Sequence, residues 1–280
     1  MPVAETILVT GGTGKTGRRV VRRLHERGVA ARVASRSGSG DDGVRFDWHD
    51  RSTFEPALDG VEAIYLVAPV DTTAMLAAMR PFLELALGRG TRRFVLLGAS
   101  SLESGGPMMG EVHAWLAARV PEWIVLRPSW FMQNFSESHH SLSIRDEGLI
   151  RSATGDGRVG FVDAEDIAAV AVEALLAPAT ASGERVLTGP EALSYDDVAR
   201  LVGEALGREV RHERLEPDVL ASALRGFGVD AGLARLLAKM DASIAAGSED
   251  RVTDGVWSVT GHPSGSFDAF VAREMATDKR

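Results

Sequence analysis

The chain has 280 residues, 45% of them apolar and 25% charged, which supports one large core, or a core with a small annex, and excludes collagen-like and disordered classes. It contains no cysteine, so structural disulfides, cysteine-ligated zinc, iron–sulfur clusters and thiolate nucleophiles are excluded together. Its 31 Lys and Arg against 39 Asp and Glu give a formal charge of −8, which argues against nucleic acid as a partner.

From Thr6 to Glu122 short apolar runs alternate with segments of helical period. The runs are Ile7 to Val9, Ala30 to Ala34, Val44 to Phe46, Ile64 to Val67, Phe94 to Leu97 and Ile124 to Leu126, each bounded by Gly, Pro, Ser or Asp. Strands apolar on both faces and alternating with helices predict an α/β fold with a doubly wound, Rossmann-type parallel sheet. In the first helix Val20, Val21 and Leu24 form the apolar stripe, Arg18, Arg19, Arg22 and Arg23 are expected in solvent, and Gly28 ends it. After Pro128 the rhythm loosens. A helix over Asp163 to Leu176, a strand over Glu184 to Leu187, a capped helix from Ser194, a strand over Arg208 to Arg214 and helices over Pro217 to Arg225 and Ala231 to Ala246 precede a loop-rich tail. The expected organisation is a single domain over 1–280, with 1–128 as cofactor-binding core and 129–280 as a small, mostly helical, substrate-covering part. The N-terminal residues reach a strand by Ile7, and no apolar run approaches the roughly 18 residues of a membrane span. The expectation is a cytoplasmic monomer or homodimer with no membrane partner.

Gly11, Gly14 and Gly17 fall between the first strand and the first helix. Glycines at that spacing allow a tight turn, close backbone approach to a pyrophosphate and close helix–sheet packing, with the phosphates at the helix N-terminus. A P-loop would need a further glycine where Val9 stands. At the end of the second strand, where an acidic residue would bind both ribose hydroxyls, the chain has Arg36 between Ser35 and Ser37. A guanidinium there suits a 2′-phosphate, and residues 1–36 carry eight basic residues against Glu5 and Glu26. NADP(H) is expected over NAD(H).

With these features the chain resembles atypical short-chain dehydrogenases/reductases of the NmrA-like group, and within it the ergot-alkaloid-type reductases. The resemblance rests on Thr10 to Gly17, Phe46 to Trp48, Leu66 to Pro69, Gly98 to Ser101, Met109 to Leu116, Leu126 to Phe135, Gly155 to Arg158 and Phe161 to Ala168. It implies that Gly11, Thr13, Gly14, Lys15, Thr16 and Gly17 hold the pyrophosphate and Arg36 the 2′-phosphate. It further implies that Asp47 borders the adenine, Ala68 and Pro69 the ribose, and Ala99 and Ser100 the nicotinamide side.

Ordinary members of the superfamily use a Tyr-x-x-x-Lys pair to protonate the developing alkoxide. The matching positions here are Met109 and His113, the only tyrosines are Tyr65 and Tyr195, and the only lysines are Lys15, Lys239 and Lys279. Reduction of a ketone gives an alkoxide of pKa ~16 and benefits from general-acid help worth roughly 10²–10⁴-fold. An iminium carbon becomes a neutral amine on receiving hydride, and a quinone becomes a weakly basic phenolate. The expected reaction is therefore NADPH-dependent reduction of an iminium, quinone or activated alkene in a bulky apolar small molecule. His113 is either a proton donor acting with Ser100, or a helix histidine facing solvent or packing beside Trp115. Met109, Trp130, Phe131, Met132 and Phe135 are the candidate substrate wall, with Phe227, Met240 and Trp257 closing it. His139 and His140 are adjacent and lack a third ligand, so no metal is expected. Two other readings stay open: an NAD(P)-sensing regulator without turnover, and a cofactor-bound enzyme of non-redox chemistry.

Overall fold

A computed structural model describes residues 6–178 and 182–275. In chain order the first half runs β1 (Thr6–Thr10), α1 (Gly17–Glu26), β2 (Ala30–Ser35), β3 (Gly43–Arg45), α2 (Phe54–Ala57), β4 (Val61–Leu66), α3 (Met75–Gly88), β5 (Arg93–Leu97), α4 (Met109–Arg119) and β6 (Glu122–Pro128). Then come α5 (His139–Glu147), β7 (Leu149–Ser152), β8 (Arg158–Val159), α6 (Ala164–Leu176), β9 (Gly183–Leu187), β10 (Leu193–Ser194) and α7 (Tyr195–Leu206). The remaining elements are β11 (Arg211–Arg214), α8 (Pro217–Gly226), α9 (Ala231–Ala245), α10 (Trp257–Thr260) and α11 (Phe267–Glu274).

The expected α/β architecture is present. Seven strands form one sheet in the order β3-β2-β1-β4-β5-β6-β9, and every neighbouring pair in it is parallel. Strand order reverses between β1 and β4, so the crevice for a ligand opens at the carboxyl ends of those strands. The residues divide into two compact units. Among the described residues the first comprises 6–128, 164–178, 182–187 and 255–262, and the second 129–163, 188–254 and 263–275. The chain thus returns to the sheet after Pro128, adding α6, β9 and α10, which a boundary drawn at 128 does not capture.

In the first unit Leu8, Ile64, Leu66, Phe94 and Leu96 are fully buried. They pack with Phe46, Phe54 and Phe82, whose rings lie 5.0–5.6 Å apart. The charged side of α1 departs from expectation. Arg19 is only 5% exposed, and Arg19, Arg22 and Arg23 converge on the Glu165 carboxylate at 3.0, 2.5 and 3.2 Å, while Arg27 pairs with Glu173. Three guanidiniums hold the Glu165 carboxyl below its usual range despite the opposing effect of its burial. Much of the local positive charge read from the sequence is therefore spent joining α1 to α6.

The second unit has its own core around Phe135, Phe161, Tyr195 and Phe267, with successive rings 5.3–5.8 Å apart. Two small sheets, parallel β7 with β11 and antiparallel β8 with β10, flank it. The segment read as a loop-rich tail holds α10 and α11, and Phe267 and Phe270 of α11 are completely buried. A capping box of Ser194 and Asp197 starts α7 as expected. On α9 the buried Asp241 carboxylate accepts the Ala153 N–H at 2.9 Å, and burial pushes its pKa up to about 6 from an ordinary 3.8.

A carboxyl whose folded-state pKa is raised favours the folded state most when protonated. Its contribution is full below pH 3.8 and is lost as pH rises through about 6. Asp241→Asn retains an acceptor for Ala153. It is expected to remove a falling stability component of about 3 kcal/mol across that window, read as the difference between mutant and wild-type urea midpoints from pH 4 to 7.5. A flat difference would show that Asp241 does not titrate there.

Candidate functional site

The loop after β1 is built by close backbone contact. Gly11 has φ +59°, a left-handed conformation that glycine adopts at no steric cost. A Cβ at Gly17 would lie 2.2 Å from the Gly11 carbonyl oxygen, and one at Gly12 would lie 2.7 Å from Val33 Cγ1. The N-terminus of α1 can approach β1 this closely only without a side chain. Thr10 ties the loop across the strand-order reversal: its hydroxyl accepts the Val67 N–H at 2.7 Å and donates to the Tyr65 carbonyl at 3.1 Å. The Gly12 N–H donates to the Ala34 carbonyl at 3.1 Å, tying the loop to β2 as well.

The outer face of this loop has Gly11, Thr13 and Gly14 exposed and Lys15 half-buried, while Thr16 and Gly17 are buried beneath. The first turn of α1 carries no acidic side chain, so nothing opposes an anion at the helix's positive end. A cradle whose glycines leave no room for Cβ atoms, at a helix N-terminus free of acids, fits a pyrophosphate.

The other sequence candidates of the first unit sit on neighbouring strand ends. Arg36 is exposed just past β2, in a turn that the Ser35 hydroxyl stabilises by accepting the Gly38 N–H at 3.1 Å. Arg36 makes no ion pair within 4 Å among the described residues, though its charge helps hold the Asp71 carboxyl below its usual range, behind the larger effect of His49. Asp47 is half-buried after β3, accepting the His49 N–H at 2.9 Å. Half-buried Ala68 and buried Pro69 follow β4, and half-buried Ala99 and buried Ser100 follow β5. The Ser100 N–H donates to the Pro128 carbonyl at 2.9 Å. Met109 opens α4, half-buried, directly after Met108, whose φ of 57° is unique among described non-glycine residues.

His113 contacts β6 and β9. It is 4% exposed, its ring lies 5.3 Å from Trp123 at the start of β6, and its Nδ1 is 3.7 Å from Glu184 Oε2 on β9. It faces the sheet rather than solvent or Trp115, and burial lowers its pKa, with Glu184 opposing and Arg127 adding to the shift. Arg127 is the residue that reaches the Ser100 turn, and sequence reading passed over it. The available signal was a charged residue in the apolar run Ile124-Val125-Leu126 before Pro128.

In the second unit the expected substrate wall divides. Met132 and Phe135 are each 1% exposed and belong to the core, because Met132 donates its N–H to Val162 at 3.0 Å and so turns inward. Trp130 and Phe131 remain half-buried. Phe227 and Trp257 stand 82% and 59% exposed, too open for closing residues. His140 stacks on Phe135 at 5.2 Å.

The family model for NAD(P)H-binding proteins matches residues 11–178, and that of the NmrA-like family matches residues 123–251. An oxidoreductase of Bacillus subtilis named YesF and described as uncharacterized is 43% identical over 273 residues, 96% of this chain and 95% of its own. Agroclavine dehydrogenase of Claviceps fusiformis is 39% identical over 279 residues, covering 95% and 96%. The chain belongs to the NmrA-like family. The resemblance to ergot-alkaloid-type reductases read from the sequence is thereby borne out, as is the NAD(P)H-binding character of the NmrA-like fold here. In three dimensions the chain is similar to an Escherichia coli NADPH-dependent quinone oxidoreductase complexed with NADPH. The TM-score is 0.77 and the identity 22%, over 95% of this chain and 98% of that one, a likeness of fold. No described helix of this NmrA-like protein is long and apolar enough to cross a membrane.

Gly17→Ala tests the cradle. Displacing the Gly11 peptide is expected to cost about 1–3 kcal/mol, read as a fall in NAD(P)H affinity of roughly ten- to a hundredfold by titration. Wild-type affinity in the variant would mean that the close contact is not needed for binding.

Proposed function

We propose that this protein is an NADPH-dependent reductase that delivers hydride to an iminium, quinone or activated alkene in a bulky apolar small molecule, with no Tyr–Lys proton donor. NAD(P)H, when bound, supplies the hydride. Gly11, Thr13, Gly14, Lys15, Thr16 and Gly17 hold its pyrophosphate, and Arg36 bonds a 2′-phosphate, for which an exposed guanidinium with no ion pair within 4 Å among the described residues is available. Asp47 borders the adenine, Ala68 and Pro69 the ribose, and Ala99 and Ser100 the nicotinamide.

The observation that carries the choice of acceptor is the state of the two tyrosines. Tyr65 and Tyr195 are 0% and 3% exposed, and burial raises both phenol pKa values above the ordinary 10, the opposite of what an acid catalyst needs. Lys15 lies in the glycine loop, Lys239 lies on α9 and Lys279 is outside the described residues. His113, lowered by burial and turned toward Trp123 and Glu184, is assigned to packing in this reading. Ser100 remains the polar residue that polarises an acceptor. An iminium or a quinone needs no strong acid at the hydride step. Of the expected wall residues, Met109, Trp130 and Phe131 remain half-buried and keep surface to offer.

Purified protein is expected to oxidise NADPH with a cyclic iminium or a quinone, followed by loss of reduced-nicotinamide absorbance, and to leave simple ketones untouched. Tight binding of oxidised cofactor with no turnover of either class would favour the sensor instead. Arg36→Glu is expected to weaken NADPH binding on the order of a hundredfold while leaving NADH within about threefold. Equal loss for both would reject the 2′-phosphate assignment.

A further inference from the structure

Arg127 is a charged side chain inside an apolar strand, and it is 7% exposed. A buried guanidinium costs several kcal/mol unless its donors are met. Its Nη1 donates to Glu184 Oε1 at 2.8 Å, its Nη2 to the Ser100 carbonyl at 2.7 Å, and its Nε to the Ala99 carbonyl at 3.4 Å. One nitrogen meets a carboxylate; the other two reach consecutive backbone carbonyls just past β5. The Ser100 N–H is held from the same strand, by Pro128 at 2.9 Å, so this turn is fixed on both sides by β6. A Cβ at Gly98 would lie 3.1 Å from both the Leu126 carbonyl oxygen and Val125 Cγ1, so glycine lets β5 end close against β6 beside this turn.

The guanidinium has support of its own. Glu184 neutralises it with one oxygen and turns the other toward His113 Nδ1, 3.7 Å away. Burial lowers the His113 pKa, with Glu184 opposing and Arg127 adding a smaller lowering effect.

We propose that Arg127 is a positioning residue for hydride transfer, fixing the Ala99–Ser100 backbone that orients the nicotinamide, with Glu184 as its brace. This rests on the reading that Ala99 and Ser100 border the nicotinamide. An arginine does what an apolar residue cannot: it satisfies two adjacent buried carbonyls from one planar group, which fixes their relative direction. Its effect falls on the reacting end of the cofactor, because its three bonding nitrogens are engaged at Ala99, Ser100 and Glu184.

The test uses the full chain with NADPH as probe and menadione and an N-methyl-dihydroisoquinolinium salt as acceptors. Three quantities are read: NADPH affinity, the fluorescence shift and enhancement of the bound reduced nicotinamide, and kcat. Arg127→Met is expected to keep NADPH affinity within about threefold, lose the bound-nicotinamide emission change, and lower kcat by about ten- to a hundredfold, with Arg127→Lys restoring part of both. Glu184→Gln, which leaves the carbonyl bonds in place but loosens the brace, is expected to show a smaller change in the same direction. Wild-type emission and kcat in Arg127→Met, or a fall only in thermal stability, would overturn the proposal; if that variant does not fold, wild-type emission and kcat in Glu184→Gln would do so. A wild-type protein that does not bind NADPH would bring down the functional reading and this inference together, whereas binding with normal emission in the variants would bring down this inference alone.

Discussion

The contact between Gly17 and the Gly11 carbonyl sets the rest of the first unit. Because no Cβ intervenes, α1 starts almost on top of the end of β1, and its first-turn N–H groups face the space beyond the strand. The reversal of strand order next to β1 opens that space, and the Thr10 hydroxyl closes the seam by bonding both to Tyr65 and to Val67 across it. Ser35-Arg36, Ala68-Pro69 and Ala99-Ser100 then follow from register: each ends a parallel strand in the same sheet, so all stand at one edge of it. A larger residue at position 17 would move the helix, and with it the N–H groups at its start.

Charge in this unit serves packing as much as binding. The arginines of α1 look, in sequence, like a reservoir of positive potential for a phosphate. In the fold three of them surround Glu165, and Arg27 meets Glu173. Such a cluster holds α1 against α6 at a desolvation cost for Arg19, whereas Arg36 is exposed just past the end of β2. The case for a 2′-phosphate rests on that one side chain and its position, not on the net charge of the segment.

The alternation of strands and helices, the glycine loop and the capping box were legible because each depends on local spacing. The six apolar runs before Pro128 all became strands, since a parallel sheet buries both faces and needs an unbroken apolar pattern. What sequence did not show was set by distant partners. That α6 and β9 return to the sheet depends on pairing between β6 and β9, which leaves no mark within either segment. Phe267 and Phe270 looked like part of a loose tail because α11 is short, yet an aromatic cluster buries them completely. Met132 and Phe135 share an apolar, aromatic stretch with Trp130 and Phe131, and composition alone does not say which pair turns inward. Arg127 was the opposite case: a single out-of-pattern residue in a strand, whose purpose appears only when its three donors are traced to Glu184, Ser100 and Ala99.

The chemistry narrows by the same logic. A phenol serves as an acid when its pKa is brought down by a neighbouring cation and when it reaches the substrate. Tyr65 and Tyr195 have neither property, because burial moves both the other way. His113 packs against Trp123 with its pKa lowered by burial, and the cation that approaches Ser100 belongs to Arg127, which does not give up its proton at neutral pH. The proton inventory at this edge of the sheet is therefore small, while hydrogen bonding that fixes geometry is plentiful. Such a site accelerates transfer through orientation, and the acceptors that gain most from orientation alone are those whose reduced form is already stable without an added proton.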